Sequence, residues 1–127
     1  MTTLFSGLLV ATMSFFINKY LVAKLGNWAI IYLIPLCEEL LKTGAYYFIG
    51  GNLVIIHLIF GIVEAKFDIL NSKGAAALAI VTHSVFGGLT FYCLILTKNL
   101  VLAILITILI HLFWNYLMGR GNNAIDL

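Results

Sequence analysis

The segment EELLK, residues 38–42, places two adjacent carboxylates and one ammonium group inside an apolar run. On a helix Glu38 and Lys42 are four residues apart and share one face, whereas Glu39 lies about 100° around the axis. A carboxylate shielded from bulk water can take a proton from a water molecule. The segment therefore predicts either an acid–base centre or a neutralised ion pair that holds helices together.

Other polar residues in apolar surroundings supply parts for the same chemistry. Glu64 is a further carboxylate in an apolar run, and the imidazole of His83 could position that water or assist proton transfer. His111 and Asn115 are four residues apart, so both can point to one spot and donate hydrogen bonds to a developing oxyanion. Together these residues predict attack of an activated water on a carbonyl group. Each alone also fits packing or interhelical hydrogen bonding, and for His57 we favour a structural or access-path role.

The same residue types could bind a divalent metal such as zinc, through Glu64, His83 and His111. The sequence has no HExxH pattern, and the candidate ligands are far apart along the chain. Zinc sites usually have three protein ligands, each supported by a further hydrogen bond. We therefore predict no metal and no other cofactor.

The composition is that of a membrane protein. Hydrophobic residues make up 63% of the 127 residues, and charged residues only 9%, against about a quarter in soluble domains. The mean hydropathy is +1.11. We therefore expect an integral membrane protein, with the lipid bilayer as its first partner. The net charge of +2 is too small to indicate nucleic-acid binding.

Glycines and short polar turns divide the chain into five apolar segments, each near the ~20 residues that span a bilayer. The N-terminal segment lacks a basic start, and we interpret it as a retained helix. We expect one all-α domain over residues 1–127, a compact bundle of about five transmembrane helices. The predicted helices are 3–25, 28–49, 52–70, 75–96 and 100–118, with a polar turn at 71–74.

The distribution of basic residues predicts the orientation. Five basic residues lie near one set of helix ends and only Lys98 near the other, so the first side should be cytoplasmic. The N-terminus is then outside and the C-terminus inside. Counted from the cytoplasmic ends, four ionisable side chains lie at one level, roughly 12–17 Å deep, where charged groups face a bundle interior. These four are Glu38, Glu64, His83 and His111.

Four motifs, one on each of the last four predicted helices, resemble those of known membrane peptidases. EELLK resembles the EExxK signature of PrsW-type intramembrane proteases. It is also similar to the EExxxR signature of type II CAAX prenyl endopeptidases and their bacterial relatives, the CPBP superfamily. FGIVEA (60–65), HSVFGG (83–88) and HLFWN (111–115) resemble the later motifs. The ordered set covers residues 35–115.

The resemblance implies an intramembrane endopeptidase and assigns roles to matching positions. Glu38 and Glu39 match the glutamate pair, one of which activates water. His83 matches the histidine that works with that base, and His111 with Asn115 matches the pair assigned to oxyanion stabilisation. The implied substrate is a membrane-embedded or lipidated protein, and the expected location is the plasma membrane of a prokaryote.

Three residues bear on which of the two families is nearer. Glu64 matches a PrsW glutamate where the prenyl endopeptidases tend to carry histidine. Asp68 stands where PrsW proteins have an aromatic residue. Lys42 stands one position before the CAAX arginine, and we assign it, with Glu64, a supporting role. The choice between the families stays open.

Two other functions fit the same residues. Buried carboxylates and histidines also make proton- or cation-coupled transporters, which can act as homo-oligomers. A relative that binds peptides without cutting them would carry the same polar set.

Overall fold

The computed structural model describes residues 1–70 and 72–123 of the chain. The described part is all-α with five α-helices, which confirms the predicted fold class and helix number. In chain order the helices are α1 (Thr2–Leu25), α2 (Ile34–Phe48), α3 (Leu53–Asp68), α4 (Lys73–Thr97) and α5 (Leu100–Asn123).

Glycine and asparagine define the connection between α2 and α3. Gly50 and Gly51 have φ angles of 93° and 116°, a region that residues with a Cβ rarely adopt. The side chain of Asn52 then accepts a hydrogen bond from the backbone N–H of Ile55 at 3.1 Å, which caps the first turn of α3. This connection confirms the helix break predicted from the sequence.

The prediction of one uninterrupted α-helix over 28–49 is wrong at its start, because Ala29–Leu33 form a π-helical turn. Pro35, in the first turn of α2, has no N–H, and its ring would clash with the carbonyl four residues earlier in a regular helix. The wider turn avoids that clash. In a π-helical turn each carbonyl accepts from the N–H five residues later, as the Ala29 carbonyl does from the N–H of Ile34. The Ile30 carbonyl would next accept from residue 35, but Pro35 has no N–H to donate.

Two other predicted boundaries move. Lys73 and Gly74, predicted within the polar turn, begin α4 instead, because Ser72 caps the helix by accepting from the N–H of Ala75. Asn71 of that turn lies outside the described residues. Helix α5 continues past the predicted end at 118 to Asn123, and residues 124–127 lie outside the described part.

The helices pack so that α3 lies chiefly against α4 and α1, while α2 packs against α1 and α5. Consecutive helices are in contact, although the contact between α2 and α3 is slight. A hydrogen bond of 2.8 Å between Thr90 and Thr107 joins α4 to α5. The polar faces of α2, α3, α4 and α5 thereby meet inside the bundle.

Within the part of the chain that the structure describes, three helices are long and apolar enough to cross a membrane, which indicates an integral membrane protein. They are Thr2–Leu25, Lys73–Thr97 and Leu100–Gly119. Helices α2 and α3, with 15 and 16 residues, are shorter than these three.

Gly87 on α4 is a point of close approach between α4 and α3. A Cβ added there would lie 2.7 Å from the Cβ of His57 on α3. Glycine at this position therefore allows the two helices to approach closely.

Gly87→Ala should therefore lower the free energy of unfolding by about 1–3 kcal/mol, the usual effect of overpacking a tight contact. Chemical unfolding of the purified protein in detergent measures the change. Gly88→Ala is the matched control, because an added Cβ there meets nothing within 4 Å. Equal stability of the two variants would contradict the prediction.

Candidate active site

Glu39 is the centre of a buried polar network and is 0% exposed. Its Oε1 accepts from Lys42 Nζ at 2.6 Å and from His111 Nδ1 at 3.0 Å. Its Oε2 lies 3.0 Å from Nε2 of His57. Glu39 thus joins α2, α3 and α5 through hydrogen bonds that involve both of its oxygens.

The partners of His57 fix the position of one proton. Its Nδ1 faces the backbone carbonyl of Leu53 at 2.9 Å, which only accepts, so Nδ1 carries a hydrogen. Its Nε2 faces the carboxyl group of Glu39. A proton must therefore lie between Nε2 and Oε2, and on the nitrogen it makes an imidazolium–carboxylate ion pair.

Lys42 fixes the tautomer of His83 in the same way. Its Nζ is 3.0 Å from Nδ1 of His83, and an ammonium group only donates. His83 is therefore protonated at Nε2, which donates to Oε2 of Glu64. Lys42 is 0% exposed and also lies 4.5 Å from the ring centroid of Phe60, a cation–π contact.

Glu38 faces away from Glu39 and toward α1. Its Oε1 accepts from Nδ2 of Asn18 at 2.7 Å, and its Oε2 lies 3.9 Å from Lys42 Nζ. That longer distance makes a weak ion pair. Oε2 therefore keeps most of its capacity to accept a hydrogen from a bound water.

Two cavities meet the network from different sides. The larger, about 530 Å³, lies between α1 and α3. The smaller, about 250 Å³, is lined by residues that include His83, His111 and Asn115. Three polar residues belong to both walls: Asn18, Glu38 and Glu64.

His111 and Asn115 both line the smaller cavity, but each also holds a protein partner. His111 Nδ1 donates to Glu39. Nδ2 of Asn115 donates to the Ile30 carbonyl at 2.9 Å. In the π-helical turn this carbonyl would face the N–H of residue 35, which Pro35 does not have. The Asn115 amide nitrogen carries two hydrogens, of which Ile30 takes one. This amide therefore has a structural role in addition to facing the cavity.

The structure brings together all the residues that the sequence selected. The predicted common level is supported by the Glu64–His83 hydrogen bond and by ring centroids of His83 and His111 that lie 5.6 Å apart. Sequence reasoning missed Asn18, which is on the one helix without a motif, and the contact between His57 and Glu39. The signal for Asn18 was a polar amide within an apolar stretch of α1.

The possible zinc ligands Glu64, His83 and His111 lie near one another but do not form a metal-binding group. Among residues 1–70 and 72–123, no set of three or more His, Cys, Asp and Glu side chains is arranged to hold a metal ion. His83 and His111 each have one ring nitrogen bonded to Lys42 or Glu39. Catalysis without a metal stays a prediction.

Comparison of the chain with protein-family models, with curated proteins and with solved structures found no match. The likeness to PrsW and CPBP proteins thus rests on the four short motifs alone.

Proposed function

We propose that this protein is an intramembrane endopeptidase in which Glu38 activates the attacking water. The observation that carries the proposal is the position of Glu38, a buried carboxylate in the common wall of two cavities. One cavity is large enough for a peptide segment, and the other holds the polar groups that the hydrolysis needs.

In the proposed reaction a water in the smaller cavity gives a proton to Oε2 of Glu38 as its oxygen attacks the scissile carbonyl. The carbonyl oxygen gains negative charge in the tetrahedral intermediate. Glu38 then returns the proton to the departing amine, so that the carboxylate is regenerated. Asn18 supports this cycle by holding Oε1 in a fixed direction.

The amide of Asn115 is the proposed donor to the oxyanion, through the hydrogen that Ile30 does not take. His111 is protonated at Nδ1 toward Glu39, so in its neutral form Nε2 is an acceptor. This changes the role that the motif implies for His111 from an oxyanion donor to a residue that orients water. His83 has no hydrogen on Nδ1 and donates through Nε2 to Glu64. This hydrogen bond orients the Glu64 carboxylate at the cavity wall.

The proposal includes the membrane arrangement expected from the sequence. All five helices cross the bilayer, with α2 extended by the π-helical turn. The N-terminus is outside, the C-terminus is cytoplasmic, and the membrane is the plasma membrane of a prokaryote. Substrates are membrane-embedded or lipidated proteins, whose peptide chain can approach from within the lipid.

One observation favours proton transport as a second candidate. A chain of close polar contacts runs from His57 through Glu39, Lys42 and His83 to Glu64. Such chains can also carry protons across a membrane protein. Purified protein in vesicles separates the two functions. Cleavage of a membrane peptide supports the endopeptidase, whereas Glu38-dependent proton or cation movement without cleavage supports the transporter.

Asn115→Ala should lower kcat for peptide cleavage by about 10²–10³-fold with little change in peptide binding, because an oxyanion donor acts mainly in the transition state. The substitution also leaves the Ile30 carbonyl without its donor, which costs about 1–3 kcal/mol of stability. Peptide binding and cleavage are measured side by side in the folded protein.

A Pro35→Ala parent separates the effect of Asn115→Ala on kcat from its effect on stability, because the new residue has an N–H close to the Ile30 carbonyl. In this background Asn115→Ala should cost less stability but keep its full loss of kcat. A loss of kcat that disappears together with the loss of stability would show that Asn115 acts only on the fold.

A further inference from the structure

Two polar atoms on α1 lack partners although they are buried. Among the described side chains, Ser14 Oγ and Asn18 Oδ1 are buried without a hydrogen-bond partner. Ser14 is 1% exposed, and both residues line the larger cavity. Ser84 on α4, in contrast, donates its hydroxyl hydrogen to the carbonyl four residues earlier. The Ser14 hydroxyl makes no such bond, so its hydrogen-bonding capacity is available to a ligand in the cavity.

The spacing of Ser14 and Asn18 along α1 matches an extended peptide. Residues four apart on a helix are separated by about 6 Å along the axis. Backbone groups on the same side of an extended chain repeat every two residues, about 6.6 Å. The N–H of one ligand residue can therefore donate to Asn18 Oδ1 while a carbonyl two residues along accepts from Ser14 Oγ.

The remainder of the larger cavity suits apolar side chains. Its α1 wall runs from Ala11 to Ala23, about 18 Å, which is the length of about five extended residues. Phe15 of α1 and Phe67 of α3 stack with ring centroids 5.0 Å apart and also line it. The volume of about 530 Å³ is within the range of ligand pockets.

A lipid chain satisfies these observations less well. An acyl chain has no polar groups along its length, so it would bury Ser14 Oγ and Asn18 Oδ1 against hydrocarbon. Buried polar groups without partners are strongly disfavoured. A peptide supplies a donor and an acceptor at the required interval.

We infer that the cavity between α1 and α3 binds one extended apolar segment of a polypeptide, whose backbone is held by Ser14 and Asn18. The inference rests on the proposed function in one respect, which is that the segment is the substrate. Asn18 then contacts both the ligand backbone and Glu38, so it positions the scissile carbonyl beside the base.

The test is peptide binding to the purified full chain in detergent micelles. The probe is a fluorescent five-residue peptide of alternating leucine and alanine with blocked ends, and anisotropy reports its affinity. Ser14→Ala should weaken binding by about 2- to 10-fold, the usual effect of losing one hydrogen bond. The variant should fold normally, because the hydroxyl has no partner within the described protein.

Ser6→Ala is the matched control on the same helix. Its hydroxyl donates to the carbonyl of Gly50 at 3.0 Å and does not line the cavity, so peptide affinity should be unchanged. The same peptide methylated at its backbone nitrogens should bind more weakly to the parent protein. Equal affinity in Ser14→Ala and the parent, equal affinity for the methylated peptide, or no binding at all would each overturn the inference.

Cleavage of the same probe distinguishes failure of this inference from failure of the proposed function. Binding that depends on Ser14 without hydrolysis in the parent upholds the peptide site and overturns the endopeptidase. Hydrolysis that is unaffected by Ser14→Ala upholds the endopeptidase and overturns the peptide site.

Discussion

Glu38→Gln should reduce peptide cleavage by about 10²–10⁴-fold, the contribution of a general base, while the protein stays folded. Glutamine keeps the size of the side chain, and its amide oxygen can still accept from Asn18. The amide cannot take a proton from water, so the chemical step alone is affected. Initial rates on a membrane peptide, with the unfolding temperature measured in parallel, provide the comparison.

Glu39→Gln is the matched control, with the same substitution one residue away. Glu39 bonds Lys42, His57 and His111, so this variant should lose stability, and its activity should fall in proportion to the folded fraction. Full cleavage in Glu38→Gln would end the proposed mechanism. Loss of cleavage only in a well-folded Glu39→Gln would move the role of base to Glu39.

Lys42→Met should lower the free energy of unfolding by about 3–5 kcal/mol, because it removes the ammonium group that bonds the buried Glu39 carboxylate at 2.6 Å and leaves that carboxylate only its histidine partners. Methionine keeps most of the apolar volume, so the loss reports the charge and its hydrogen bonds. Unfolding in mixed micelles measures the difference. Lys24→Met, at an exposed position in the last turn of α1, should stay within about 0.5 kcal/mol of the parent.

The double variant Lys42→Met with Glu39→Gln tests the cause. The double variant should lose less stability than the sum of the two single losses, because the effects of substituting two residues in direct contact are not additive. A double variant whose loss equals the sum of the two single losses would show that Lys42 stabilises the bundle through packing and not through Glu39.

Most helix boundaries and the common level of the polar residues could be predicted from the sequence, because both follow from local patterns. The Gly50–Gly51 pair lies at a helix end, where both residues have positive φ angles, and counting along a helix gives the level of Glu64, His83 and His111. The local errors were the start of the second helix, the start of α4 and the end of α5. Pro35 was visible at the first of these, and its missing N–H was sufficient to indicate an irregular turn.

The rotation of each helix about its axis was not accessible. Whether Glu38 or Glu39 faces a cavity depends on how α2 packs against α1 and α5, which is a property of several helices together. The same holds for His57, whose partner Glu39 is on a different helix. It holds also for Asn18, whose side chain on α1 donates to Glu38 on α2.

The length of α3 has a consequence for the surrounding lipid. Its 16 residues extend about 24 Å, against a hydrocarbon layer of about 30 Å. In the proposed arrangement, where α3 crosses the bilayer, this deficit would be accommodated by local thinning of the bilayer. Glu64 is one helical turn from the end of α3 at Asp68, so thinning at that end lowers the hydrated head groups toward the carboxylate. The lipid itself would then shorten the path by which water reaches a reaction carried out below its surface.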